Sequence, residues 1–289
     1  MKKHIVCLTK SYDYMDMCTW LNYYDKLNYT IHLIDNESLV ELEPWFSDHP
    51  QHTYEKLEGW PDQWRLFSNI LNKNKYGFNT GDLVAFIDDD EYLWYYLDYW
   101  KMVEAKNPQF KGKQYEPMED YLIKQMKKQT DMGVPGCVLV PQILMSSNKL
   151  SPTRCENYID CNYYRRADIS TQGKAIILYN EYCNYNFVVE NECGHVPVIR
   201  KFDETPKRLS LVNGEGISYT TYGDVDYNAC LRLYHYHIKS INDWEKKISR
   251  GSAAVDHQWY AEDVRANKYF GEYNIPDFTM LETKKLMGI

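Results

Sequence analysis

The sequence predicts an α/β protein built on an open sheet, and three observations carry that prediction. Strand and helix patterns alternate as βαβαβ through the first third of the chain. The third strand is a continuous apolar run, Leu83 to Ile87, of the kind expected where a parallel strand is covered on both faces. Past residue 105 the strands are separated by Gly, Asn and Asp turns rather than by long helices, which reads as a mixed or antiparallel second half. With 289 residues, 44% hydrophobic and 26% charged, the chain can bury a sizeable core, and its composition excludes a disordered, collagen-like or coiled-coil protein.

Residues 4–8, HIVCL, are a short β-branched run that opens the sheet. Met15, Cys18, Leu21 and Tyr24 (or Leu27) then recur at three- or four-residue spacing, so a helix follows after a polar loop. Residues 29–36, YTIHLIDN, make a second strand that stops at Asp35 and Asn36. Trp64, Phe67, Ile70 and Leu71 share one face of a second helix, and 83–87 is the third strand. Right-handed crossovers would bring the C-terminal ends of these strands to one edge, where open α/β sheets bind ligands. A polar loop with two prolines, 105–117, leads to a helix over 118–129 and a strand over 136–144 that ends in the polar run 145–154. Strands follow at 174–180, 186–190, 196–200 and 231–238. Two helices close the chain: 240–251, with Ser240 and Asp243 spaced as a capping box and Gly251 as its stop, and 257–271, stopped by Gly271.

The 33 basic and 41 acidic side chains leave a formal charge of -8 with no basic run, which argues against a nucleic-acid partner. The opening MKKHIVCLTKSYDY has only a short apolar stretch, and no segment approaches ~18 continuous apolar residues, so neither a secretory signal nor a transmembrane span is expected. Eight cysteines at irregular spacings, without a Cys-x-x-Cys, argue against a zinc knuckle or thioredoxin-type pair. Most are expected to be reduced, buried thiols in a cytoplasmic protein, with a disulfide-bonded chain as the alternative. Tyrosine, at 27 residues, is the outlying count; sugar-binding grooves share that character, although packing is the ordinary use of each ring.

The most informative segment is residues 83–94, LVAFIDDDEYLW, in which five apolar residues run directly into Asp88, Asp89, Asp90 and Glu91 before apolar residues resume. Successive carboxylates repel one another, and setting them between hydrophobic runs costs stability unless a cation offsets their charge. A divalent ion is the compensation this pattern points to. In an extended backbone Asp88 and Asp90 project to one side as its ligands, while Asp89 points to the other and can bond a ribose. Hard oxygen donors suit Mg2+ or Mn2+. The plain alternative is a solvated acidic turn after an edge strand. Further on, His235 and His237 alternate on a strand and share a face, with Tyr236 opposite. Lys239 and Ser240 then precede a helix N-terminus, whose unpaired N–H groups and positive dipole end favour phosphate. That makes Lys239 a diphosphate-binding candidate, with Lys247 and Arg250 as further cations.

Together these residues resemble the GT-A glycosyltransferases, in which an Asp-x-Asp at a strand end holds a metal on the diphosphate of a nucleotide sugar. The likeness is to the family 2 and family 92 group. It is carried by AFIDDDEY from Ala85 to Tyr92, the opening strand and helix with WLNYY, the helix with Gln63 and Asn69, Ser146 to Asn148, and LYHYHIKSINDWEKKISRG from Leu233 to Gly251. Where the family has Asn-Glu after the first strand, this chain has Lys10, Ser11 and Tyr12. The resemblance implies a GT-A type α/β fold, a Rossmann-like nucleotide-binding half with a mixed central sheet. A single domain over 1–255 would divide into a nucleotide-sugar half (1–105) and an acceptor half (106–240), followed by a C-terminal helical extension over 256–289. It further implies a metal-dependent, inverting transfer from a nucleotide-diphosphate sugar donor to a glycan acceptor. Mn2+ or Mg2+ would sit on Asp88, Asp90 and His235. Thr9, Lys10, Asp35, Gln63, Asp88, Asp89 and Lys239 would contact the nucleotide sugar. Glu156, in the acceptor-side stretch RCENYIDCNYYRR, would take the acceptor's proton, with Asp160, Glu190 and Glu192 as rivals. Trp60, Trp64 and Trp94 are candidates for acceptor walls.

Other classes stay open at this point. A nucleotidyltransferase shares the βαβ start and a metal-binding Asp but carries a Gly-rich phosphate loop, and LTKSYDYM has no glycine. A glycoside hydrolase would use two carboxylates without metal or nucleotide. A non-catalytic carbohydrate-binding module would keep its sugar affinity on losing Asp88 and Asp90.

Overall fold

The computed structural model describes residues 1–59, 61–107, 116–130, 136–146, 153, 155–166, 170–187, 197–201, 211–212, 218–219, 231–250 and 273–289. Strand β1 (Lys3–Thr9) lies parallel to β2 (Thr30–Asp35), which is parallel in turn to the edge strand β3 (Thr53–Lys56). On its other side β1 pairs in parallel with β4 (Leu83–Phe86). Alternate residues of β1 feed opposite cores: Ile5 and Cys7 join Trp20, Leu21 and Tyr24, while Val6 joins Phe67, Ile70 and Phe86. Helix α1 (Tyr14–Lys26) returns the chain from β1 to β2 and is capped by Asp13, whose carboxylate accepts from the Asp16 N–H at 3.1 Å. Helix α3 (Gln63–Asn72) covers the other face, capped in the same way by Asp62 on the Arg65 N–H at 3.1 Å. Between β2 and α3 stand a short helix, α2 (Glu43–Asp48), and β3, neither of which the simple βαβαβ reading contains. They are six and four residues long, too short to show a period.

The second half completes a mixed sheet. Strand β5 (Glu91–Tyr95) follows β4 directly after the acidic turn, and α4 (Tyr96–Lys106) and α5 (Met118–Thr130) come next. Strand β8 (Ser170–Leu178) lies antiparallel between β4 and β6 (Cys137–Ser146). Strands β9 (Cys183–Asn186) and β10 (Val198–Lys201) form an antiparallel pair, and β11 (Leu211–Val212), parallel to β6, pairs antiparallel with β12 (Ser218–Tyr219). Strand β13 (Leu231–His235) runs parallel to β6 and antiparallel to β5, and α6 (Ile241–Arg250) follows it. The expected fold class is therefore the one adopted: parallel through β3-β2-β1-β4, then antiparallel across β8 to β6.

One expectation is corrected. The C-terminal segment is not purely helical, because β14 (Tyr273–Pro276) pairs antiparallel with β7 (Tyr164–Arg166) before α7 (Thr279–Met287) packs Met280 and Thr283 inward. The helix expected over 257–271 lies outside the described residues. Cys7, Cys137 and Cys183 are buried as expected, and Cys18 is half-buried. Cys155 and Cys161 form the one disulfide among the described residues, across the 3-10 turn Tyr158–Asp160, and the other four described cysteines stay outside it, in line with the expectation that most are reduced. Cys193 and Cys230 lie outside the described residues. Among the described residues no helix is long and apolar enough to cross a membrane.

Candidate functional site

The loops leaving β1 and β4 face each other across an open cleft at the C-terminal edge of the parallel strands. About 530 Å3 of space, counting its mouth, is lined by Lys10, Ser11, Tyr12, Asp13 and Asp16 after β1, and by Asp89 and Asp90 after β4. His237, Lys239, Asp243, Trp244, Lys246 and Lys247 close it from the β13–α6 side.

The acidic residues do not continue a strand. The Glu91 N–H donates to the Asp88 carbonyl at 3.1 Å, which closes a turn and redistributes the side chains. The same-side placement of Asp88 and Asp90 that an extended backbone would give is lost: Asp89 and Asp90 line the cleft, and Asp88 faces Lys174 of β8. Lys174 is buried, with Nζ 2.7 Å from Asp88 Oδ2 and 3.5 Å from Glu91 Oε2. Glu91 has no exposed surface; its carboxylate accepts from the Asp88 N–H at 2.9 Å and from Gln142 Nε2 at 2.7 Å. Trp20 Nε1 and Tyr24 OH both donate to its carbonyl at 3.0 Å, which pins the start of β5 against α1. Burial pushes the Glu91 carboxyl up to about 7 against the opposing charge of Lys174. Burial also works against the Lys174 ammonium, but Asp88 and Glu91 outweigh it and raise its pKa.

Asp90 meets two different partners with its two oxygens. His235 Nε2 lies 3.3 Å from Oδ1, and Lys247 Nζ donates to Oδ2 at 2.9 Å. Burial alone would raise this carboxyl, yet Lys247 and His235 hold it well below the usual carboxylate range. The second ring nitrogen, His235 Nδ1, is 3.8 Å from Glu91 Oε1 and makes no hydrogen bond among the described residues. The His237 ring stands 5.1 Å from that of His235 and 5.0 Å from Trp244; burial, then Lys247 and His235, push its imidazole well below the ordinary value, so it is neutral.

Lys239 is clamped on two sides, with Nζ 2.9 Å from Asp16 Oδ2 and 4.1 Å from the centroid of the Tyr158 ring. Its carbonyl accepts from Asn162 Nδ2 at 3.0 Å. Behind it α6 begins at the capping pair the spacing predicts: Ser240 Oγ accepts from the Asp243 N–H at 3.1 Å and donates to Asp243 Oδ2 at 2.7 Å.

Thr9, buried at the end of β1, donates to Asp89 Oδ2 at 2.5 Å and so orients that carboxylate. Lys10 lines the cleft and pairs with Glu37 at 3.2 Å. Four other expected positions stand away from the cleft lining. Asp35 is buried, accepting from the Ser38 N–H at 2.8 Å and from Tyr54 OH at 2.6 Å, so it secures the turn after β2. Gln63 is buried at the start of α3. Glu156 is exposed, and Asp160, also exposed, pairs with Lys284 at 2.7 Å. Glu190, Glu192 and Trp60 lie outside the described residues. Trp94 is a core residue, donating from Nε1 to Thr283 Oγ1 at 3.2 Å, and Trp64 packs on Phe67. Sequence reasoning missed Lys174, Asp16, Gln142 and Tyr158. A lysine opening a strand and an acid in a helix's first turn both read as solvated charges, and nothing local distinguishes these.

Among the described residues no group of three or more His, Cys, Asp or Glu side chains is arranged to hold a metal ion. Asp90 Oδ1 and His235 Nε2 stand 3.3 Å apart as an ion-pair contact, with a carboxylate, Glu91, beyond the other ring nitrogen. A carboxylate oxygen and an imidazole nitrogen are donors that could hold Mn2+ in preference to Mg2+, which takes oxygen ligands.

No protein-family model matches the chain, and no curated protein matches it. Among solved structures it is similar to a 4-diphosphocytidyl-2C-methyl-D-erythritol synthase, at 10% identity and a TM-score of 0.30 over 62% of this chain and 75% of that one. It is also similar to the apo-form glycosyltransferase GlyE of Streptococcus pneumoniae TIGR4, at 13% identity and a TM-score of 0.20 over 46% of this chain and 38% of that one. At these TM-scores neither likeness bears on function.

Proposed function

We propose that the protein is a glycosyltransferase that moves a sugar from a nucleotide-diphosphate sugar to a glycan hydroxyl. One observation carries this reading: Lys239 and Lys247 stand with Asp89 and Asp90 around a cleft at the C-terminal edge of β1 and β4, beside the start of α6. Two ammonium groups and a helix N-terminus favour the charge of a diphosphate. Asp90 and His235 are the residues that would hold a Mg2+ or Mn2+ arriving with it. Asp89, oriented by Thr9, is assigned to a ribose hydroxyl.

In the transfer the acceptor oxygen attacks the anomeric carbon and the carbon–oxygen bond to the diphosphate breaks. The diphosphate leaves with the electron pair, and the acceptor's proton passes to a base. A bound divalent ion supplies charge neutralisation on the leaving group. Lys239 contributes to the same end from the protein side. Asp16 and Tyr158 fix its ammonium before any ligand arrives, so stabilising the growing negative charge costs no rearrangement. Glu156, exposed and off the cleft, is not carried into this reading as the base.

The test is a screen of UDP-, GDP- and dTDP-sugars for Mn2+-dependent hydrolysis. The expected result is release of one nucleoside diphosphate, lost in Asp90→Asn. No turnover and no nucleotide binding across the panel refutes the reading.

A further inference from the structure

We infer that the Cys155–Cys161 disulfide is a redox control on the cleft: closed, it holds the turn that sets Lys239 in place, and a dithiol that opens it loosens Lys239 and weakens the cleft's hold on an anion. In that last step it rests on the glycosyltransferase reading, whose diphosphate is the anion; the coupling of the disulfide to Lys239 does not.

The bond joins residues six apart and closes a ring around the 3-10 turn Tyr158–Asp160. Side chains of that ring reach three parts of the molecule. Asn157 Nδ2 donates to Thr19 Oγ1 of α1 at 2.9 Å, and Asp160 pairs with Lys284 of α7 at 2.7 Å. Tyr158 is fully buried, its hydroxyl 2.6 Å from that of Tyr92 and its ring centroid 4.1 Å from Lys239 Nζ. Asn162, the residue after Cys161, donates to the Lys239 carbonyl at 3.0 Å, so the side chain and the main chain of the lysine are both held from one short segment. Its other partner, Asp16, lies on α1 three residues before Thr19, which the ring itself contacts. A ring this short constrains the unfolded chain less than a long one would, so its effect is local. Opening it returns backbone freedom to a segment whose regular structure is one 3-10 turn, and the contacts on Lys239 are then kept for a smaller fraction of the time. Reagents can reach the bond. Cys155 is exposed, whereas Cys7, Cys137 and Cys183 are buried, and exposed disulfides are the labile ones. A thiolate of the dithiol attacks Cys155 Sγ, the sulfur–sulfur bond breaks, and Cys161 leaves as a thiolate; the second thiol of the reductant then displaces Cys155 from the mixed disulfide. The protein gains two electrons and two protons, and the reductant becomes a disulfide.

Amide hydrogen exchange of the full chain is compared before and after incubation with dithiothreitol, while peptide mass mapping follows the Cys155–Cys161 bond. Opening the bond should speed exchange over residues 155–162 and, far away in sequence, over 239–244 by about tenfold, with β1 and β2 unchanged. The Cys155→Ser, Cys161→Ser double variant should exchange like the reduced protein and no longer respond to dithiothreitol, which separates this bond from any other cysteine pair. Affinity for UDP or GDP should fall about fivefold on reduction. The inference is overturned if protein isolated without reductant lacks the bond, if exchange over 239–244 is unchanged when the bond opens, or if a nucleotide that binds does so equally well in both states. Should neither nucleotide bind oxidised or reduced protein, the glycosyltransferase reading falls, and the exchange over 239–244 alone decides whether the disulfide governs Lys239.

Discussion

Lys239 shows how a single charge is prepared for work. Its ammonium is held between the Asp16 carboxylate and the Tyr158 ring, and its main chain is held by Asn162. Lys239→Gln keeps a donor for Asp16 and removes the charge, so kcat should fall by about 100-fold with little change in melting temperature. A variant with unchanged kcat would remove Lys239 from the site. A second pair of residues sets a pH dependence. His4 Nδ1 and His32 Nε2 are buried 3.0 Å apart between β1 and β2, and one ring must donate while the other accepts. Burial, then His4 and His52, lowers the His32 pKa to about 3, and burial lowers that of His4 despite Asp82. An unfolded histidine titrates near ~6.5, so the unfolded chain takes up these protons first. The contribution of the pair is whole above that pH and is lost as pH falls from 6.5 toward the folded values. Melting temperature should therefore drop between pH 7 and 5, and less steeply in His32→Gln; equal slopes would contradict this. At this scale Asp89, Asp90 and Lys239 were legible, because each sits in a local pattern of strand end or helix start. Lys174 and Asp16 were not, since their partners Asp88 and Lys239 are 86 and 223 positions away.

Elements decide where those residues point. The period-two argument that put Asp88 and Asp90 on one side needs an extended backbone, and the Glu91 N–H to Asp88 carbonyl bond replaces it with a turn. Strand β5 and α4 escaped the sequence reading because residues 91–100 are almost continuously apolar and aromatic, which hides any period. The α6 start, by contrast, was readable from Ser240 and Asp243, and the structure places that cap where the spacing put it. Gly173 belongs to this scale as well. Gly173→Ala must push β8 away from Val140, and we expect a loss of about 1–3 kcal/mol in urea denaturation. Weaker nucleotide binding should accompany it, as Lys174 shifts under the acidic turn; full stability in the variant would contradict the packing described.

For the whole molecule, the parallel half was legible because strands covered on both faces announce themselves as apolar runs. The placing of β13 between β5 and β6 was not, since it depends on pairing residues such as His235 with Glu91 and Leu144 across the chain. That pairing assembles the site: it brings His235 to the acidic turn and starts α6 beside the loop that leaves β1. A chain with net charge -8 thereby sets Lys10, Lys239, Lys246 and Lys247 among Asp13, Asp16, Asp89, Asp90 and Asp243 around one cleft, where charges of both signs face the same space. A crystal structure of the protein with Mn2+ and a bound nucleoside diphosphate tests this most directly. Diphosphate oxygens are expected on Lys239 and Lys247, beside the Asp90–His235 pair; a nucleotide bound elsewhere, with this cleft holding only water, refutes the glycosyltransferase proposal.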